Sequence, residues 1–354
     1  MMRQLKKIYL FCVLAAFAGL GVWALCGNRA FSQNENRLLK TRTGISDNWR
    51  DGSFQSDLEE VLSDQFPFRD AVVGLQTQVR LAMGARDVGG VYFGRDGRLL
   101  QKITDADVDW KHVERDAKRY ASAGRSTGLP VTLLPVPSAG CALPDALPEG
   151  AAMYNLDRVF ALLQGREGAS VLDVRAALRE DACYYSTDHH WTTRGAWAAY
   201  ACWRAAHGGT AQPYESYAPA VAASDFRGSL YSKAPLARLA GETLELIEIP
   251  SGLHVVADGA EISLYDRAAL QEKDKYRVFL SGNHGIVTID NPDAEGGTLL
   301  LVKDSFANSL VPFLVRDYRR IVLVDERYAA VSLSELAVQE SADEIAVVKE
   351  ACNF

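Results

Sequence analysis

An uncharged, apolar run occupies residues 8–26, behind Arg3, Lys6 and Lys7. It is long enough to cross a bilayer, which takes about 17–25 residues. The basic flank keeps the start cytoplasmic and sends the rest across. The pattern predicts a signal anchor over residues 1–27, with a cleaved signal peptide as the alternative. Residues 28–50 are polar and predict an extended stalk. From 53 to 86 the apolar positions take helical spacing: Phe54, Leu58, Val61 and Leu62, then Val72, Leu75, Val79 and Leu81. Pro67 divides them into two helices. Residues 89–97 predict a short hairpin turning at Arg95-Asp-Gly97.

An alternation of strands and helices begins near residue 106. Helices are predicted at 108–123, 154–163 and 194–206, with strands at 130–136 and 171–174. Residues 208–297 break the rhythm and predict a β-rich insertion, with strands at 244–249, 253–257 and 278–280. The alternation resumes with strands at 298–303, 321–324 and 344–349 and helices at 306–315 and 332–340. This order predicts an α/β fold, a parallel sheet covered on both faces. The expected organisation is an anchor (1–27), a stalk and helical region (28–105) and an α/β domain (106–354).

Composition is that of an ordinary globular protein, and the net charge of −7 argues against nucleic acid as a partner. Cys26 invites a lipoprotein reading, but Trp-Ala-Leu before it matches poorly. Cys141, Cys183, Cys202 and Cys352 lie beyond the anchor, where disulfides and buried free thiols are both open.

Two short stretches carry candidate chemistry. Asp188 and His190 sit two apart in a turn, Tyr184-Tyr-Ser-Thr-Asp-His-His-Trp191, before a predicted helix. Ser305 follows an apolar strand in Lys303-Asp-Ser-Phe306 and precedes another predicted helix. A serine needs a base within hydrogen-bond reach to act as a nucleophile. His190 would take its proton and Asp188 would hold the imidazole tautomer, with His189 as the competing base. A helix N-terminus at Ser305 would supply N–H groups for an oxyanion. The blander reading makes Ser305 and Asp188 helix caps. Asp-His-His lacks further ligands at metal spacing, although His284 is available, and no metal or cofactor is implied. Trp191 reads as a wedge behind the histidine or as a sugar platform.

The arrangement resembles the SGNH hydrolases with the blocks reversed: the Asp/His block opens the domain and the serine closes it. That is the permuted form of the alginate O-acetylation proteins, and within it the chain resembles the DHHW family of exported bacterial proteins. The resemblance rests on Asn34-Glu-Asn-Arg-Leu38, Asp64-Gln-Phe-Pro-Phe-Arg-Asp70, Val91-Tyr-Phe-Gly-Arg-Asp-Gly97 and Thr187-Asp-His-His-Trp191. Gly282-Asn-His284, Lys303-Asp-Ser-Phe-Ala-Asn-Ser309, Pro312-Phe-Leu314 and Asp325-Glu-Arg-Tyr328 extend it. It implies a permuted SGNH-like three-layer domain with Ser305, His190 and Asp188 as a triad. It makes Asn353 an oxyanion candidate, with Arg327 as the alternative because the glycine of the second block is missing. Asn283, His284, Trp191 and Tyr328 become substrate candidates, and Cys141–Cys352 with Cys183–Cys202 the disulfides to expect.

The function so implied is an extracytoplasmic O-acetyltransferase or acetylesterase acting on a cell-surface polysaccharide. A polytopic membrane acyltransferase would supply the acetyl groups. The alternative is a non-catalytic polysaccharide-binding or scaffold protein of the same fold. The expected location is the cell membrane, single-pass, with the domain outside, or secretion if the signal is cleaved.

Overall fold

The computed structural model describes residues 2–32, 35–236 and 238–354; Asn34 of the first motif lies outside them. The chain forms two compact units, residues 1–85 with 231–238, and residues 86–230 with 239–354. The N-terminal segment of the first unit ends at residue 85 and the second unit begins at residue 86. The hairpin strands Val91–Phe93 and Leu99–Gln101 belong to the larger unit.

In the smaller unit, helix α1 (Met2–Cys26) is long and apolar enough to cross a membrane. Helices α2 (Ser53–Asp64) and α3 (Arg69–Ala82) flank the break at Pro67, as the spacing predicts. The stretch expected as an extended stalk makes specific contacts. Phe31–Ser32 pairs with Arg37–Leu38, Arg37 binds the buried Asp64, and Lys40 donates to Asp57 at 2.8 Å.

The larger unit is built on an eight-stranded sheet. In chain order its strands are β1 (Val131–Val136), β2 (Ser170–Val171), β3 (His254–Ala257), β4 (Ala260–Ile262), β5 (Ile286–Asp290), β6 (Gly296–Lys303), β7 (Tyr318–Val324) and β8 (Glu344–Glu350). Their spatial order is β4-β3-β5-β7-β6-β8-β1-β2. The pairs from β7 to β2 are parallel, while β5, β3 and β4 extend the edge in antiparallel fashion. Part of the expected insertion is thus sheet. The rest includes a hairpin of Ala220–Phe226 and Glu242–Leu246. The strand expected at 278–280 is a 3-10 turn over Lys275–Val278, followed by Leu280 and Ser281 in left-handed backbone, which breaks any extension.

Side chains alternate across a strand, and the central strands show why the sheet needs two covers. Leu299 and Leu301 enter one core, Leu300 and Val302 the other. Helix α4 (Trp110–Thr127), α5 (Leu156–Leu163) and α7 (Leu333–Gln339) cover one face, with Tyr120, Leu163 and Leu336 in that core. Helix α6 (Thr193–Ala206) covers the other through Tyr200 and Trp203. Each fully buried Leu or Val stabilises the fold by about 1.5–3 kcal/mol. The result is the three-layer α/β/α architecture expected, with its mainly parallel sheet.

The helix expected at 306–315 does not form as one element. A 3-10 turn spans Ser305–Ser309 and a short helical turn spans Val311–Leu314. Pro312 has no N–H for a continuous ladder. The expected disulfides are also absent, and all four cysteines are free thiols. The Cys141 and Cys183 thiols face the carbonyls of Tyr154 and Ala177, and Cys352 faces the Asn353 amide oxygen.

Candidate active site

Ser305 is placed by the end of β6. Asp304 fixes the turn after it: one carboxylate oxygen accepts from Phe306 N at 2.9 Å, the other from Glu350 N at 2.7 Å. The serine turn is thereby tied to the end of β8. Trp191, wholly buried, secures it from the other side. Its indole N–H lies 2.9 Å from Phe306 O and 2.8 Å from Ser309 Oγ, and its ring meets Phe306 edge-on. Its ring is packed behind the serine turn and has no exposed face.

The Asp188/His190 turn ends where α6 begins, capped by the Thr192 hydroxyl accepting from Gly195 N at 3.1 Å. His190 Nδ1 lies 2.6 Å from Asp188 Oδ1, and its Nε2 lies 2.8 Å from Ser305 Oγ. Asp188 Oδ1 also accepts from His190 N, and Oδ2 from Ser229 N at 2.6 Å. Burial pushes the Asp188 carboxyl up, but the His190 and His189 imidazoles and the Ser229 N–H outweigh it and hold it well below the usual range. An ionised Asp188 only accepts, so Nδ1 carries the proton and Nε2 is free to accept from the serine. The structure thus brings together the three residues singled out in the sequence. His189, the competing base, lies against the His190 ring, with its Nδ1 2.7 Å from Ser229 Oγ and 3.5 Å from Asp188 Oδ1.

Three supports come from regions that carried no signal in the sequence. Tyr276 stacks on His190 with ring centroids 3.9 Å apart and planes within 6°, and its hydroxyl lies 3.0 Å from Ser309 Oγ. Gly228 packs against Asp188 so closely that a Cβ would stand 2.2 Å from Oδ2. Glu242 reaches back from its hairpin to accept from Ser186 N at 2.6 Å, from Thr187 N at 2.7 Å and from the Thr187 hydroxyl. Burial pushes its carboxyl up, against the pull of those donors.

The remaining candidates are placed elsewhere. The Asn353 amide N–H faces Asp304 and Glu350 at 3.4 and 3.5 Å. Arg327 is locked onto Asp325 through two hydrogen bonds of 2.8 and 2.6 Å. Asn283 accepts from the buried Lys303 at 3.3 Å, and His284 is held between Asp258 and the Leu280 carbonyl. These contacts occupy Asn283 and His284 in holding the loop. Tyr328 is exposed beside Arg327. Asp188, His189 and His190 offer ligand atoms within 4.8 Å of one another, but the first and last are already bound in the Ser305 relay.

A cleft of ≈ 670 Å³ opens at the carboxyl ends of β6, β7 and β8, lined in part by Asp304, Arg327, Asn353 and, from α4, Arg115 and Arg119. Open parallel sheets place ligands at this end.

Residues 167–324 match the family model described as DHHW protein. The resemblance carried by the motifs is to this family. A crystal structure of a DHHW family protein from Eubacterium siraeum is 20% identical, with a TM-score of 0.64, over 75% of this chain and 92% of that chain. Bacillus cereus PatB1, in a structure with a sulfonyl adduct, is 19% identical with a TM-score of 0.63, over 74% and 95%. The O-acetyltransferase domain of Pseudomonas putida AlgJ is 15% identical with a TM-score of 0.46, over 74% and 90%. No curated protein sequence matches. The first two likenesses establish the shared fold.

Proposed function

We propose that the chain is an extracytoplasmic serine-dependent acetyltransferase or acetylesterase acting on a cell-surface polysaccharide. The observation that carries this reading is the relay Ser305–His190–Asp188, with both links at hydrogen-bond distance. Ser305 Oγ attacks the carbonyl carbon of an acetyl donor while its proton passes to His190 Nε2. The donor's oxygen leaves with that proton, and acetyl-serine remains. A sugar hydroxyl then attacks, His190 takes its proton, and the serine is restored as the new ester departs. Water in place of the sugar gives an esterase. Asp188 stabilises the imidazolium in both halves, and the Tyr276 face lies against it.

The polysaccharide acceptor and a polytopic acyltransferase as acetyl source follow from the resemblance to the alginate O-acetylation proteins. Helix α1 supports a membrane anchor with the domain outside. The cleft beside Asp304 is the proposed acceptor groove, with Asn353 in its lining.

A second reading, a scaffold that retains the fold, is favoured by the engagement of Asn353 and Arg327 away from the serine. A sulfonyl fluoride probe separates the two. Covalent labelling of wild type that disappears in Ser305→Ala, and falls at least a hundredfold in rate in His190→Ala, is the enzyme's signature. Folded wild type that takes no label favours the scaffold. Acetyl-ester turnover equal in wild type and both variants would falsify the triad.

A further inference from the structure

Large apolar side chains are exposed very unevenly among the described residues. Beyond α1, nine lie between Leu38 and Met83, and only Val221, Tyr328 and Val338 follow. Five of the nine, Phe68, Val72, Leu75, Val79 and Met83, are spaced to fall on one face of α3. Leu75 is 59% exposed and Met83 81%. The opposite face carries the buried Gly74 and Thr77. A surface helix ordinarily turns its apolar stripe inward. This one does the reverse over about 21 Å of length.

The start of α3 is clamped to the end of α1. The Gln65 side chain accepts from Arg29 N and donates to Arg29 O, both at 2.9 Å. The Arg29 guanidinium pairs with Asp70 through contacts of 3.1 and 3.2 Å. Trp23, in the last turn of α1, meets the Phe68 ring edge-on at 5.8 Å. Phe68 itself holds a left-handed backbone (φ 58°), a strained conformation for a bulky residue, with its ring 75% exposed. The apolar surface of α1 therefore continues, through an aromatic pair, onto the outward face of α3.

We propose that this face of α3 rests in the outer interface of the bilayer that α1 spans, at the boundary of headgroups and acyl chains. The proposal rests on the anchor reading of α1. Trp23 and Phe68 stand where interfacial aromatic residues gather, and α3 presents its apolar stripe to the acyl chains as a monotopic helix does. The stripe covers about two heptads, short for a coiled-coil partner, and its continuity is with the membrane-crossing helix.

The test uses the full chain in nanodiscs of phosphatidylethanolamine and phosphatidylglycerol containing a phospholipid with a diazirine near the top of one acyl chain. After irradiation, lipid adducts are mapped by peptide mass spectrometry. Adducts are expected on α1 and on Phe68, Val72, Leu75, Val79 or Met83. The Val72→Ser/Leu75→Ser/Val79→Ser variant, with its helicity checked by circular dichroism, should lose at least tenfold of the α3 adducts while those on α1 persist. Adducts confined to α1 in wild type overturn the proposal and leave the anchor standing. Adducts on neither helix overturn both. A second copy seated on the stripe would shield α3 from the lipid and leave adducts on α1 alone, and would also overturn it.

Discussion

A Cβ at position 228 would meet Asp188 Oδ2 at 2.2 Å and Asp188 Cβ at 2.3 Å, both inside any tolerable contact. The glycine lets the chain carry Ser229 N to within 2.6 Å of the same carboxylate. Gly228→Ala should therefore push Asp188 off His190. We expect the serine probe to label this variant at least tenfold more slowly, with a stability loss of about 1–3 kcal/mol from overpacking. Unchanged labelling kinetics and an unchanged urea midpoint would show that the carboxylate has room to shift. At this scale the sequence carried the reacting groups but not their holders. Asp188 and His190 are two residues apart and Ser305 ends an apolar run, so local pattern reveals all three. Gly228, Ser229 and Tyr276 reach the site only through the fold of a region with no such pattern. Asn353 was suggested by the block order of the resembled domain, and its amide faces Asp304 and Glu350.

Among the elements, the hairpin of Ala220–Phe226 and Glu242–Leu246 does the least obvious work. Through Glu242 it holds the backbone of Ser186 and Thr187, immediately before Asp188. In Glu242→Gln one of the two accepting oxygens becomes an NH₂ that faces a donor. The expected cost is about 1–3 kcal/mol, with slower probe labelling because the turn loosens. A variant equal to wild type in both thermal midpoint and labelling rate would remove Glu242 from the site's support. The hydrophobic pattern revealed the central strands well, since 130–136, 298–303, 321–324 and 344–349 are nearly continuous apolar runs. It misread the edge. The antiparallel strands β3 and β5 bury alternate positions, as strands with one solvated face do, and lie in a stretch without the helix–strand rhythm, so they read as a separate insertion. It also overextended the helix after Ser305, where Pro312 and the bonded side chains of Asn308 and Ser309 favour short turns. The thiols were misjudged because adjacent strands fix where a cysteine lies but not where its sulfur points.

Across the whole larger unit, a charged cluster ties α4 to the ends of β7 and β8. Lys349 Nζ lies 2.6 Å from Tyr120 Oη and 3.0 Å from Glu326, which Arg119 also grips. Burial pushes the Glu326 carboxyl up, but the Arg119 hydrogen bond, the Lys349 charge and the Tyr120 hydroxyl bring it down to about 2. The folded value lies below the unfolded value of 4.5, so the stabilisation is complete above that pH and is lost as pH falls toward 2. After allowance for solvent screening it should amount to about 2 kcal/mol. Thermal midpoints measured from pH 7 down to pH 2 should therefore fall more steeply for wild type than for Glu326→Gln. Parallel curves would rule the contribution out.

The position of β8 bears on how such a chain reaches its final state. It is the last of the eight strands to be made, yet it lies between β6 and β1, with Ile345 paired to Val131. During synthesis β1 is made long before the neighbour that covers it. Until β8 is made, the β7–β6 and β1–β2 pairs cannot be joined into one sheet, and the cost of joining strands so distant in sequence falls on the final step. The serine turn, fastened to β8 through Glu350, therefore gains that support only after the final strand is made.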